Sequence, residues 1–139
     1  MATVELSFTA LPVHVRTARL VATAVARRSG VDESLLDEVR LAVGEACSRA
    51  VEGHQIYCPA EPVRLALTDL AGRFEVEVTD TCAPAARWQA DRPGQGPGGG
   101  FGAGLGIAVI ESLADDVQIR ETSDGTSIRM SWPSAGSAS

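Results

Sequence analysis

The 139-residue sequence contains no apolar run long enough to cross a bilayer, which excludes a helical membrane span. Nor does Met1-Ala2-Thr3-Val4-Glu5-Leu6 open on a cationic segment followed by a long apolar stretch, so no signal peptide is expected and the chain reads as cytoplasmic. Basic charge is also short. Twelve Lys and Arg face eighteen Asp and Glu, for a net charge of −6. The basic face that a nucleic-acid binder needs for phosphates is therefore missing, whereas a basic protein partner is left open. The three cysteines, Cys47, Cys58 and Cys82, are odd in number and lack a C-x-x-C spacing. Neither a disulfide framework nor a zinc site is expected from them. No internal repeat is visible.

What is present is ordinary globular material, 45% hydrophobic and 22% charged, of a length that makes one domain. Val4-Glu5-Leu6-Ser7-Phe8-Thr9 alternates as a strand does. After Pro12 a helical pattern runs to about Ser29, with Gly30 as its stop and Arg16, Arg19, Arg27 and Arg28 on its solvated face. Asp32 is placed to cap a second helix whose apolar stripe is Leu35, Leu36, Val39, Val43, Ala46 and Ala50, ending near Gly53. Val63 to Leu70 and Arg73 to Thr79 read as an antiparallel hairpin about Ala71-Gly72. A helix from about Leu105 to Ala114 and a last hairpin around Ser123-Asp124-Gly125 follow. This order predicts an α+β fold, a two-layer sandwich with helices on one face of a mainly antiparallel sheet. Residues 1–133 form the domain, with a loop of about 81–103 and a disordered tail at 134–139.

That loop carries the most information. The glycine run from Gly94 to Gly106 feeds directly into the apolar helix Ala108-Val109-Ile110-Glu111-Ser112-Leu113-Ala114. Glycines let backbone amides approach an anion, and a helix start adds unpaired N–H groups and a positive dipole end. The join reads either as a phosphate cradle with a lid or as a flexible loop that precedes a helix.

Three segments then coincide in order and spacing: Leu41-Ala42-Val43-Gly44-Glu45-Ala46-Cys47-Ser48-Arg49-Ala50-Val51, Val76-Glu77-Val78-Thr79-Asp80, and Gly102-Ala103-Gly104-Leu105-Gly106-Ile107. Together they resemble the N, G1 and G2 boxes of the GHKL (Bergerat-fold, histidine-kinase-like) ATPases. More narrowly, they resemble the small anti-sigma factors of that superfamily that double as serine kinases. The resemblance implies a general-base role for Glu45, adenine recognition by Asp80, and phosphate binding by Gly102, Gly104, Leu105 and Gly106, with ATP or ADP as ligand. Partners implied are a sigma factor of RNA polymerase and a small STAS-type anti-anti-sigma protein. A homodimer built on the first strand and helix is implied too.

Two positions depart from that pattern. The metal-binding asparagine expected four residues after the glutamate is Arg49, and a guanidinium has no lone pair for Mg²⁺. Four residues from Glu45 it can also pair with that carboxylate and make it a poorer base. Arg49 can instead pair with a phosphate directly, or the pocket is vestigial. In place of the glycine expected two residues after the aspartate stands Cys82, a residue of the nucleotide pocket wall or a loop thiol. Cys47 is expected as a small core residue. His14 and His54 read as surface groups, and Trp88 and Trp132 as aromatics of exposed segments, Trp132 covering the sheet edge. The resulting reading is an anti-sigma-factor-like regulator of transcription with a degenerate ATP site. The alternative is an active, Mg²⁺-dependent serine/threonine-protein kinase acting on the antagonist.

Overall fold

The computed structural model describes residues 2–82, 101–123 and 125–135. Strand β1 (Ala2–Phe8) leads to helix α1 (Pro12–Arg28), then through a 3₁₀ turn (Glu33–Leu35) to helix α2 (Leu36–Tyr57). The hairpin β2 (Val63–Leu70) and β3 (Arg73–Asp80) follows, then helix α3 (Phe101–Leu113) and the hairpin β4 (Asp116–Thr122) and β5 (Gly125–Pro133). The five strands form one antiparallel sheet in the order β1-β2-β3-β5-β4, with the helices packed on one face. The expected α+β sandwich is what the chain forms.

The sheet's period of two sorts its residues. Leu65, Leu67, Phe74, Val76, Val78, Ile128, Met130 and Trp132 point to the helices and are buried. On the other face Glu75, Glu77 and Arg129 stay half-exposed, and Arg129 reaches both glutamates, at 3.6 and 3.3 Å. Helix α1 meets α2 through Val15, Ala18, Ala22 and Ala26, a stripe at helical spacing whose small side chains let the two helices come close. Pro12 fits the first turn of α1, where its missing N–H costs nothing. At the far end Gly30, at φ +90°, turns the chain so that Gly30 N–H meets the Arg27 carbonyl and Val31 N–H the Ala26 carbonyl. That is a Schellman cap, the physical content of the predicted stop. Asp32 caps the 3₁₀ turn through the Ser34 amide, and the Ser34 hydroxyl and amide hold its carboxyl below the usual range.

Three features here differ from expectation, each for a tertiary reason. Helix α2 runs through Gly53 to Tyr57, because His54 in its last turn is held by two backbone groups, which outweigh the roughly 1 kcal/mol that glycine costs in a helix. Trp132 is 1% exposed rather than surface-lying. Its strand lies inside the sheet, its ring stacks on Phe74 at 6.4 Å, and its indole N–H donates to the Leu113 carbonyl at 3.1 Å. The start of the expected tail is tied down: Ser134 N–H bonds the Gly72 carbonyl and Ala135 N–H the Gly30 carbonyl. The rest of that tail, most of the expected lid with Trp88, and Asp124 fall outside the described residues.

Trp132 therefore joins the sheet to the end of α3 by both area and a hydrogen bond. Trp132→Ala is expected to cost about 3–5 kcal/mol in urea unfolding. Trp132→Phe, which keeps a ring on Phe74 but strands the Leu113 carbonyl, should cost less, about 1–3 kcal/mol.

Candidate functional site

The residues singled out for chemistry fall on three elements: Glu45 and Arg49 midway along α2, Asp80 and Cys82 at and just after the end of β3, and the glycines with Leu105 in the first turns of α3. Glu45 and Arg49 share a face of α2 at i, i+4 spacing, and both are half-buried. The stem of Arg49 lies against Gly106 of α3. A Cβ at that glycine would come within 2.8 Å of Arg49 Cδ and 3.2 Å of its Nε. Glycine at 106 is what admits the arginine, and the guanidinium is thereby carried alongside the early turns of α3. A cation beside the positive end of a helix is stabilised by an anion placed between them. Gly102, Gly104 and Leu105 belong to the same first turns, since α3 begins at Phe101 rather than near Leu105.

Asp80 ends β3 and is 5% exposed. Its Oδ1 accepts the Cys82 amide at 2.7 Å and lies 3.4 Å from His54 Nε2. His54, expected at the surface, is 0% exposed; His14 is half-buried, tilted against Phe8. His54 Nδ1 is 2.8 Å from the Glu61 carbonyl and Nε2 is 3.1 Å from the Thr81 amide. A carbonyl only accepts and an amide N–H only donates, so we assign the hydrogen to Nδ1 and the lone pair to Nε2. One ring thus spans the end of α2, the entry to β2 and the exit of β3. Thr81 adds a hydroxyl bond to the Pro62 carbonyl at 2.7 Å. The β4–β5 turn crosses over the same place: a Cβ on Gly125 would collide with the Asp80 carbonyl oxygen.

Against expectation, Cys58 and Cys82 form a disulfide, with Cα atoms 5.8 Å apart and a separation of 24 positions in sequence. Spacing concealed the pair because one partner follows α2 and the other follows β3. The odd count concealed it further, because Cys47 is the free thiol, buried as the small core residue expected. The side chain of Cys82 is thereby committed to Cys58, and its backbone N–H, not its sulfur, is the group on Asp80. Closing a loop of this length contributes about 3.5 kcal/mol on chain-entropy grounds. His54 and the disulfide are what residue-by-residue reading missed. The available signal was His54 four residues before Cys58, which places both on one face of the helix end.

The residues present fit a nucleotide's phosphates. The unpaired N–H groups of a helix start and a guanidinium laid across Gly106 are of the chemistry that suits an anion, and a buried carboxylate at a strand end is of the chemistry that suits a purine amino group. They do not fit a metal at position 49, where the only side-chain groups are N–H donors. Over residues 8–132 the chain matches the histidine kinase-like ATPase domain family. The chain belongs to that family. Thirteen chains of solved structures match this histidine kinase-like ATPase domain. Among them is the crystal structure of the RsbU and RsbW domains of Rv1364c from Mycobacterium tuberculosis, with a TM-score of 0.66 and 20% identity. The match covers 94% of this chain and 32% of that one, so the chain spans about a third of its neighbour's length. At that identity the likeness is one of fold. No curated protein matches at the same significance. Among the described residues, no helix is long and apolar enough to cross a membrane.

Burial pushes the Cys47 thiol up to about 12, against the opposing pull of Arg19. It is therefore protonated at pH 8 and closed to reagents. Native chain at pH 8 is expected to take up no iodoacetamide. Unfolding without reductant should expose one thiol and unfolding with reductant three, counted by mass spectrometry of the alkylated chain.

Proposed function

We propose that this domain is an anti-sigma-factor-like regulator of transcription. It holds a sigma factor, a small STAS-type anti-anti-sigma protein, or each in turn, and its nucleotide site lacks the usual metal position. The observation that carries this reading is Arg49, which stands where the resemblance expects a metal-binding asparagine and lies across Gly106 at the start of α3. Arginine there can hold a phosphate but cannot hold Mg²⁺. Phosphoryl transfer without the metal loses the main stabiliser of charge on the moving group. Nucleotide then acts as a ligand that biases partner binding rather than as a substrate. In this reading the unpaired N–H groups of the first turn of α3, with Gly102 and Gly104 in that stretch, face the phosphates; Leu105 and Gly106 lie further into the helix, where Gly106 admits Arg49 and its guanidinium. Asp80 recognises the base, Cys82 holds Asp80 in place through its amide, and residues of about 81–103 close over the ligand.

Membership of the histidine kinase-like ATPase family and a fold shared with a structure containing an RsbW domain support the regulator reading. The partner face proposed is α1, where Leu11, Val13 and Leu20 are exposed among Arg16 and Arg19. A shallow groove of about 270 Å³ runs there between α1 and α2, lined by Pro12, Val15, Arg16, Arg19, Ser48, Val51 and Glu52. Cytoplasmic location and a homodimer through β1 and α1 complete the proposal. The kinase alternative rests on Glu45, which keeps its place on the site-facing flank of α2.

Calorimetric titration with ATP, in Mg²⁺ and again in EDTA, tests the reading. Equal affinity in both is expected, with a loss of at least about tenfold in Arg49→Ala, the scale of a charge-assisted hydrogen bond. Affinity that needs Mg²⁺ would overturn the metal argument and favour the kinase, with Glu45 as base. No binding in either condition would leave partner capture, read by co-elution with a sigma factor.

A further inference from the structure

Beneath the proposed base-recognition site, His54, Cys58 and Cys82 bring one imidazole nitrogen and two sulfurs within 4.8 Å of one another. Asp80 Oδ1 stands 3.4 Å from His54 Nε2. We propose that the reduced chain binds one Zn²⁺ ion through His54 Nε2, Cys58 Sγ and Cys82 Sγ, with water as the fourth donor, and that this site and the disulfide exclude each other.

Four observations carry this. The donor set is soft sulfur and imidazole nitrogen, which selects zinc over calcium or magnesium. Its spread suits one ion: the three donor atoms lie within 4.8 Å of one another, and rotation of the freed cysteine side chains can bring both sulfurs to about 2.3 Å and the nitrogen to about 2.0–2.1 Å from a common centre. The ring is held in one orientation and one tautomer, since its Nδ1–H is spent on the Glu61 carbonyl, which leaves Nε2 as the nitrogen with a lone pair, given in the oxidised chain to the Thr81 amide. A backbone carbonyl on the far nitrogen is the usual outer partner of a ligating histidine. Finally, the three donors sit on or beside elements held in place by other contacts: α2 packed on the sheet, the paired end of β3, and Thr81 tied to Pro62. With Cα atoms 5.8 Å apart, the two cysteines can open from a bonded pair to two ligands by rotating side chains.

The same sulfurs cannot serve both states. Reduction passes two electrons from two molecules of a low-molecular-weight thiol to the Cys58–Cys82 bond. Those molecules become their own disulfide, and the chain gains two thiols. Zn²⁺ then displaces the two thiol protons and takes the His54 lone pair from the Thr81 amide. The net charge of two thiolates, one Zn²⁺ and the neighbouring Asp80 carboxylate is −1, tolerable where backbone amides from Cys82 and Thr81 face it.

Cobalt(II), added anaerobically to the full chain, is the probe. The reduced chain is expected to bind one Co²⁺ with thiolate-to-metal charge-transfer and tetrahedral ligand-field bands, both abolished by added Zn²⁺. The chain oxidised to the Cys58–Cys82 disulfide should show neither band, a comparison that needs no substitution. Cys47→Ser should bind as the parent does. Cys58→Ser, its fold checked by circular dichroism, should bind at least about 100-fold more weakly, the upper end of what even an outer-shell loss costs. A reduced chain without the charge-transfer band, or a band of equal strength in Cys58→Ser, overturns the proposal. Nucleotide is absent from every arm, so the result stands apart from the ATP titration.

Discussion

Helix α2 must be buried on three sides at once, and the rest of the molecule is arranged around that demand. It packs against α1, α3 and the strands β2 and β3. Only small side chains allow such close approach from several directions, and Ala42, Gly44, Ala46, Cys47 and Ala50 supply them. Gly44 has the side chain of Arg19 laid directly over it, and no larger residue would leave room. With so much of its surface covered, α2 has a single flank left for polar groups, and Glu45, Ser48 and Arg49 occupy it. The position of the candidate nucleotide site follows from where the helix is not packed.

How much of this the sequence discloses depends on the range of the interaction. Phe74-Glu75-Val76-Glu77-Val78 alternates in the text as it alternates in space, and the bounds of β2 are those its turn residues announce. Gly30 is a helix stop because its left-handed backbone is a local matter. Apart from the start of α3, four residues earlier than expected, the misses are long-range. Trp132 sits inside the core because β5 runs between β3 and β4, and no local pattern states a strand order. Gly53 does not end α2 because Glu61 and Thr81, eight and twenty-eight residues on, hold the ring of the residue after it.

The candidate site divides the same way. The i, i+4 relation of Glu45 and Arg49 is legible from numbering alone. The approach of Arg49 to Gly106 needs the packing of α2 on α3, and the meeting of His54, Cys58, Asp80 and Cys82 needs the ends of α2 and β3 side by side. The family pattern supplied Asp80 without its neighbours, and those neighbours are where this chain departs from the pattern. A buried carboxylate, a buried imidazole and two sulfurs in one small volume give this end of the sheet more chemistry than nucleotide recognition requires.

The opposite end of the sheet has a different property. Ala2 pairs with Asp69, beside the β2–β3 turn, while Ser134 and Ala135 are bonded to Gly72 of that turn and to Gly30. Both ends of the described chain therefore lie together, a full strand length from Asp80. The β2–β3 turn thus serves as an anchor for both: the first strand is zipped alongside it and the last strand is latched to its glycine, so loosening this one turn would free both edges of the described chain at once.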